Sequence, residues 1–219
     1  MKITHTFKTT LIAFSVLCAL SLQAIAAQPP TEPMVLTEAD KADIKRVEDY
    51  LNNIGTMKAR FMQMSSTGEM SEGDFFLSRP GKLRIDYDDP MPVLIVSNGI
   101  FLLYEDTQLD QKSYALLGST PAAVLVKENV RLNGDDLAVT RIERGANVVR
   151  ISLAQKDDPF SGVITLVFTD RPLMLRQWTI YDAQGTVTDF ALLAPRFGIE
   201  LDPALFEFSM KSKIIHRDK

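Results

Sequence analysis

Paired carboxylates are the one reaction chemistry that the residue inventory of this 219-residue chain leaves open. Asp88-Asp89, Asp135-Asp136 and Asp157-Asp158 each stand beside a Gly or a Pro. Two carboxylates at the right separation can hydrolyse a glycosidic bond. Aspartate beside Gly or Pro is also the ordinary makeup of a tight turn, where it bonds the local backbone, and turns are the favoured reading. Other chemistries lack their residues. The chain holds one Cys and two His. Cys18 and His5 fall in an apolar leader, and His216 lies near the far end in a polar stretch. A Ser-His or Cys-His nucleophile needs a firmly held imidazole. Zinc and copper sites need clustered His or Cys. No Gly-rich phosphate loop and no G-x-S-x-G is present. No metal or cofactor is expected.

One cation stands out by its place in a pattern. Arg79 follows Phe75 and Leu77 at alternate positions, so on a strand it shares their apolar face. A charge there must be paired or hydrogen-bonded. Carbonyls at a helix end are suitable partners, because the last turn leaves them free. The plainer alternative is an arginine at a strand end that reaches water along its own stem.

The opening segment reads as a secretory leader. Lys2 and Lys8 precede an apolar run from Leu11 to Leu22, and Ala24-Ile25-Ala26 offers small residues for cleavage. The run is shorter than the ~20 residues a membrane-spanning helix needs. Cleavage after Ala26 would remove the only Cys and leave 22 basic against 28 acidic residues. An exported chain without disulfides suits a bacterial periplasm, and the acidic balance argues against a nucleic-acid binder.

The rest divides by period. Residues 27–36 read as an extended leader with three prolines. Thr37 to Asp40 reads as an N-cap with an acidic first turn. Ile44, Val47, Leu51 and Ile54 then recur at helical spacing, with Gly55 as the expected C-cap. The period changes to two from Met57 onward, through Phe61, Phe75, Leu77, Leu83, Ile85 and Tyr87, with Pro80-Gly81 as a hairpin turn. Val93–Val96 and Ile100–Tyr104 are apolar on both faces and flank Ser97-Asn98-Gly99, a second hairpin signal. Thr120 to Leu125 reads as a cap, a Pro at the first position and a short apolar helix. Strands are expected again over 137–143, 148–154, 162–168, 173–181 and 186–193. The pattern points to one domain over 37–210, with a basic tail at 211–219. The expected class is mainly β with helices: an unclosed, strongly curved antiparallel sheet, a half-barrel under a helical lid. Strand faces in excess of their cover imply an apolar cavity, the usual place for a small ligand. Four of the nine methionines fall between Met57 and Met70, and methionine suits surfaces with variable partners.

The segment Gly73-Asp74-Phe75-Phe76-Leu77-Ser78-Arg79-Pro80-Gly81-Lys82-Leu83-Arg84 resembles the R-P segment of the LolA family. Phe61-Met62-Gln63 resembles that family's F-x-Q. Tyr87 to Pro90, Ile95-Val96-Ser97-Asn98-Gly99 and Leu102-Leu103-Tyr104 resemble the stretches that follow it. Pro121 to Val126 falls at its mid-chain helix, and Leu205-Phe206-Glu207-Phe208 at its closing L-F-x-F. The resemblance implies a monomeric periplasmic carrier of acylated lipoproteins. It implies loading by an inner-membrane ABC transporter of the LolCDE type and delivery to an outer-membrane acceptor, LolB-like where one exists. It implies that Arg79 latches the lid. It also implies a cargo cavity lined by Phe61, Phe75, Leu77, Leu83, Ile85 and Tyr87, with Val47, Leu51, Val124 and Leu125 on the covering side. The chain carries Leu83 where the family has an aromatic, and Ile85 at a family tryptophan; its single Trp178 lies elsewhere.

Three alternatives remain at this level: a LolA-like carrier of another lipid, a periplasmic lipoprotein sensor of the RseB type, and an all-β carboxylate hydrolase. Changing each aspartate pair to asparagine separates the last from the rest. A carrier keeps its acyl-chain binding in all three variants; a hydrolase loses its turnover in one of them.

Overall fold

The computed structural model describes residues 29–209. The leader at 1–26 and the tail at 211–219, with Cys18 and both histidines, lie outside the described residues.

The period-two sequence forms eleven strands. They are β1 (Thr56–Ser65), β2 (Met70–Ser78), β3 (Lys82–Tyr87), β4 (Val93–Asn98), β5 (Phe101–Asp106), β6 (Gln111–Leu116), β7 (Leu137–Gly145), β8 (Val148–Gln155), β9 (Gly162–Thr169), β10 (Met174–Asp182) and β11 (Val187–Phe197). They make one sheet in the order β6-β5-β4-β3-β2-β1-β11-β10-β9-β8-β7. Each half is a meander, and the halves join where β1 pairs antiparallel with β11. The edge strands β6 and β7 do not pair with each other, so the sheet is unclosed.

Alternation turns one face of every strand inward. Met57, Ala59 and Phe61 of β1, Phe75 and Leu77 of β2, Ile151 and Leu153 of β8 and Leu166 of β9 belong to a single buried cluster. Helix α1 (Glu38–Asn52) contributes Ile44, Val47 and Leu51 to the same cluster. Strands from both halves can meet one helix only if the sheet curls around it. The opposite, outer face carries its own small cover. A 3-10 turn at Pro203–Phe206 packs on β3 and β4, where Arg84 Nη1 donates to the Leu205 carbonyl at 3.1 Å. Phe76, Val96 and Leu103, in register with Arg84 across β2 to β5, are buried on that side, as is Phe206. The doubly apolar strands at 93–96 and 100–104 therefore have partners on both faces.

Three local readings are corrected. The C-cap of α1 is Asn53, not Gly55; the Gly55 carbonyl instead accepts the Arg79 backbone N–H at 2.8 Å. The expected helix after Thr120 is a pair of 3-10 turns, Leu117–Ser119 and Pro121–Leu125. Thr120 does not cap it, because its hydroxyl donates back to the Leu117 carbonyl at 2.9 Å. Five residues are too few to repay α-helix nucleation, and the tighter turn is the usual solution. The third is β6, which the sequence reading passed over.

Side chains moor α1 to the β7–β10 half. Thr37 and Asp40 form a capping box. Arg144, on β7, donates to Asp40 at 2.7 Å and to Asp43 at 2.8 Å. Arg46 reaches Asp170 at 2.5 Å, and the Tyr50 hydroxyl accepts the Leu175 N–H at 3.1 Å. The Thr37 hydroxyl, followed by the Arg144 guanidinium, holds the Asp40 carboxyl at about 2, below its ordinary 3.8. A depressed carboxylate contributes stability above its unfolded pKa, and the contribution is lost as pH falls through the folded value. Thermal unfolding followed from neutral pH downward is expected to lose stability between about pH 4 and pH 2. Asp40→Asn should be less stable at neutral pH and flatter across that window. An unchanged acid profile in that variant would remove Asp40 from the mooring.

Candidate functional site

The inner floor is a run of rings. Trp178 stacks on Phe190 with centroids 5.2 Å apart, and Phe75 tilts against Trp178 at 5.4 Å. Phe61 lies 6.1 Å from Phe190 and meets Tyr87 edge-on at 5.1 Å. Such pairs add roughly 0.5–1.5 kcal/mol each beyond the area they bury. Gly73 makes room for them: a Cβ there would stand 2.0 Å from the Asp86 carbonyl oxygen and 2.7 Å from the Phe61 ring. Tyr87 ends the run, its hydroxyl donating to Gln63 Oε1 at 2.5 Å. Burial pushes the phenol pKa up, so the group stays neutral.

All ten lining residues named from the sequence lie in or against one cluster. Phe61, Phe75, Leu77, Leu83, Ile85, Val47, Leu51, Val124 and Leu125 are buried, and Tyr87 packs on them partly buried. Met57, which the alternation names as an inward position, lies in the same floor, and sequence reasoning missed Leu175, Phe190 and Trp178 there. A bulge between Leu175 and Gln177 breaks the alternation of β10. It brings Leu175 and Trp178 to one face although three positions separate them, so parity counting could not place the tryptophan.

The expected cavity is closed in this state. Between Leu51 of α1 and Ile54 just beyond it, the floor at Phe75 and Trp178, and Leu125 and Arg79 at the rim, the open volume is about 10 Å³. That is about one water-sized sphere. Val124 and Leu125 are themselves what fills the hollow, at 1% and 3% exposure.

Arg79 sits where β2 turns toward β3. Its Nε donates to the Leu125 carbonyl at 3.0 Å, at the end of the Pro121–Leu125 turn. Two residues on, the Gly81 N–H donates to the Val126 carbonyl at 2.7 Å. Gly81 has φ +76°, and a Cβ on it would meet Gly99 Cα at 2.6 Å, so this turn must be bare. Ser97 Oγ fixes it from the other hairpin by donating to the Gly81 carbonyl at 2.8 Å. The Arg79 Nη1 atom is enclosed without a partner. Burial draws the guanidinium pKa down to about 10, so it is still a cation at neutral pH. At this rim the covering segment is thus held to the β2–β3 turn by two hydrogen bonds, one of them from an incompletely satisfied charge.

The aspartate pairs are exposed and lie in three separate loops. Asp88 pairs with Arg60 and Asp136 with Lys127. Among the described residues no group of three or more His, Cys, Asp or Glu is set to hold a metal ion.

Comparison with known proteins gives this arrangement a context. Residues 52–209 match the family model described as "Outer membrane lipoprotein carrier protein LolA". An outer-membrane lipoprotein carrier protein of Methylococcus capsulatus is 30% identical over 182 residues, covering 79% of this chain and 86% of that protein. The corresponding protein of Alkalilimnicola ehrlichii is 31% identical over 206 residues, covering 90% of each chain. That of Azotobacter vinelandii is 28% identical over 200 residues, covering 87% of this chain and 92% of its own. With the family model spanning most of its length and its sheet unclosed as the R-P segment implied, the chain belongs to the LolA family of outer membrane lipoprotein carrier proteins.

Proposed function

We propose that this protein carries acylated lipoproteins through the periplasm, sheltering their acyl chains on the inner floor of the sheet. The observation that carries the reading is a deep apolar floor closed by a short segment that only a few hydrogen bonds hold. Membership of the lipoprotein-carrier family supports it. So does the secretory character of residues 1–26 in the sequence.

The energetics suit a carrier better than an enzyme. Each methylene removed from water contributes ~0.8 kcal/mol, so a sixteen-carbon chain left exposed costs on the order of 12 kcal/mol. A soluble carrier must supply an equivalent apolar wall. Here the wall is never exposed to water while empty, because Val124 and Leu125 rest on it. Cargo exchanges one apolar contact for another, so the net affinity is small beside the gross burial. That permits both loading and release without a nucleotide site on this chain.

Arg79 is the latch in this reading. Lifting the covering segment breaks its bond to Leu125 and lets the orphaned guanidinium be solvated; closing restores the bond and pushes cargo off the floor. The expected loading partner is an inner-membrane ABC transporter of the LolCDE type, and the expected recipient a LolB-like acceptor, with the carrier acting as a monomer.

Native mass spectrometry of the protein, taken from the periplasm without detergent and with a lipoprotein co-expressed, is the direct test. One bound acylated lipoprotein per chain is expected. Bound free phospholipid would reassign the floor to another lipid. An empty protein that also fails to release lipoproteins from inner-membrane vesicles would overturn the proposal. The variant Arg79→Leu is expected to fold and to melt no lower than wild type, because it replaces a buried cation with an apolar group. It should bind cargo and fail to pass it on. Wild-type hand-off rates in that variant would remove the latch role.

A further inference from the structure

The covering segment has a second attachment, at the C-terminal end of α1. Asn52, the last residue of α1, donates from Nδ2 to the Val130 carbonyl at 3.1 Å and accepts the Val130 N–H on Oδ1 at 2.7 Å. One turn earlier, Glu48 Oε1 accepts the Leu132 N–H at 2.7 Å. Three backbone groups of the segment are therefore met by two side chains of one helix face. Val130 and Leu132 are buried at 1% and 0% exposure, in the same cluster as the floor. Between the two attachments run only residues 127–129.

We propose that Asn52, backed by Glu48, is a second latch of the cover and a positioning residue for the carrier cycle. Arg79 ties the segment to the β2–β3 turn at residue 125; Asn52 ties it to α1 at residue 130. The carboxamide is suited to this because it offers a donor and an acceptor side by side, matching the C=O and N–H of a single residue, Val130. Helix α1 is moored to the far half of the sheet through Arg144 and Arg46. The two latches thus hold the same segment at two successive points, one on the β2–β3 turn and one on the end of α1, and the closed state needs both. Loss of either shifts the population toward the open form. The inference rests on the carrier reading for its functional meaning, yet its first test needs no cargo.

The reporter is the Gly81 amide, which donates to Val126 across the closed seam and does not touch Asn52. Residue-resolved hydrogen exchange on empty protein is expected to show the Gly81 amide exchanging roughly three- to tenfold faster in Asn52→Ala, the loss of two modest hydrogen bonds. Amides of β1 and β9 should keep wild-type rates. Alanine is a better helix former than asparagine, and Glu48→Ala provides an independent variant on the same strap. A tripalmitoylated cysteinyl peptide, titrated by the fluorescence of the single Trp178, should bind Asn52→Ala severalfold more tightly than wild type. Wild-type exchange at Gly81 in both variants would overturn the proposal. So would faster exchange spread evenly over β1 and β9, which would make Asn52 a residue of general stability. If wild type fails to bind the acylated peptide, the carrier reading falls, while the Gly81 amide still decides whether the second latch exists.

Discussion

An apolar sheet face of this extent cannot stand in water, and every other feature of the molecule answers to that constraint. At ~25 cal/mol per Å² the cost of uncovering it exceeds what a few surface hydrogen bonds can return. The face is therefore covered either by the chain's own α1 and 117–132 segment or by something of the same chemistry. The curl of the sheet, the bare Gly73 under Phe61 and the collapse of the hollow to about 10 Å³ are consequences of the first arrangement.

The two covers differ in how they are held. Helix α1 has a capped start, ion pairs to Asp40, Asp43 and Asp170, and an apolar stripe deep in the core. The 117–132 segment has two short 3-10 turns and an attachment through a guanidinium that keeps one nitrogen unpaired. Burying that charge is costly, and the single bond to Leu125 offsets only part of the cost. Closure is thus favoured by apolar contact and by the Arg79 bond, with the buried charge offsetting part of that gain. A balance of that kind lets a modest partner interaction decide which form prevails.

Much of this was legible from residue order. The alternation through Met57, Phe61, Phe75, Leu77, Leu83 and Ile85 named the floor, because a strand with one buried face has no other way to write itself. Arg79 stood out because it broke that alternation with a charge. Strand β6 was missed for the opposite reason: all six of its residues are exposed, so no face imposes a pattern on Gln111–Leu116. Trp178 was hidden by a bulge, and Thr120 by a hydroxyl that found a carbonyl in its own turn. Asn52 could not have been read at all. It lies on the polar side of an amphipathic helix, 78 residues from its partner, and only the fold brings them together.

The strand order has a further consequence. The two edges of the sheet, β6 and β7, are neighbours in sequence, and the stretch that joins them is the cover itself. The molecule is built like a purse whose drawstring runs across its own mouth. The string cannot be lifted from the floor without taking up slack from one rim or the other. Between the rims, β7 belongs to the half that holds α1 and has a buried face, while every residue of β6 is exposed. Slack would come from the β6 rim, so widening the mouth and uncovering the floor are a single motion of one continuous piece of chain.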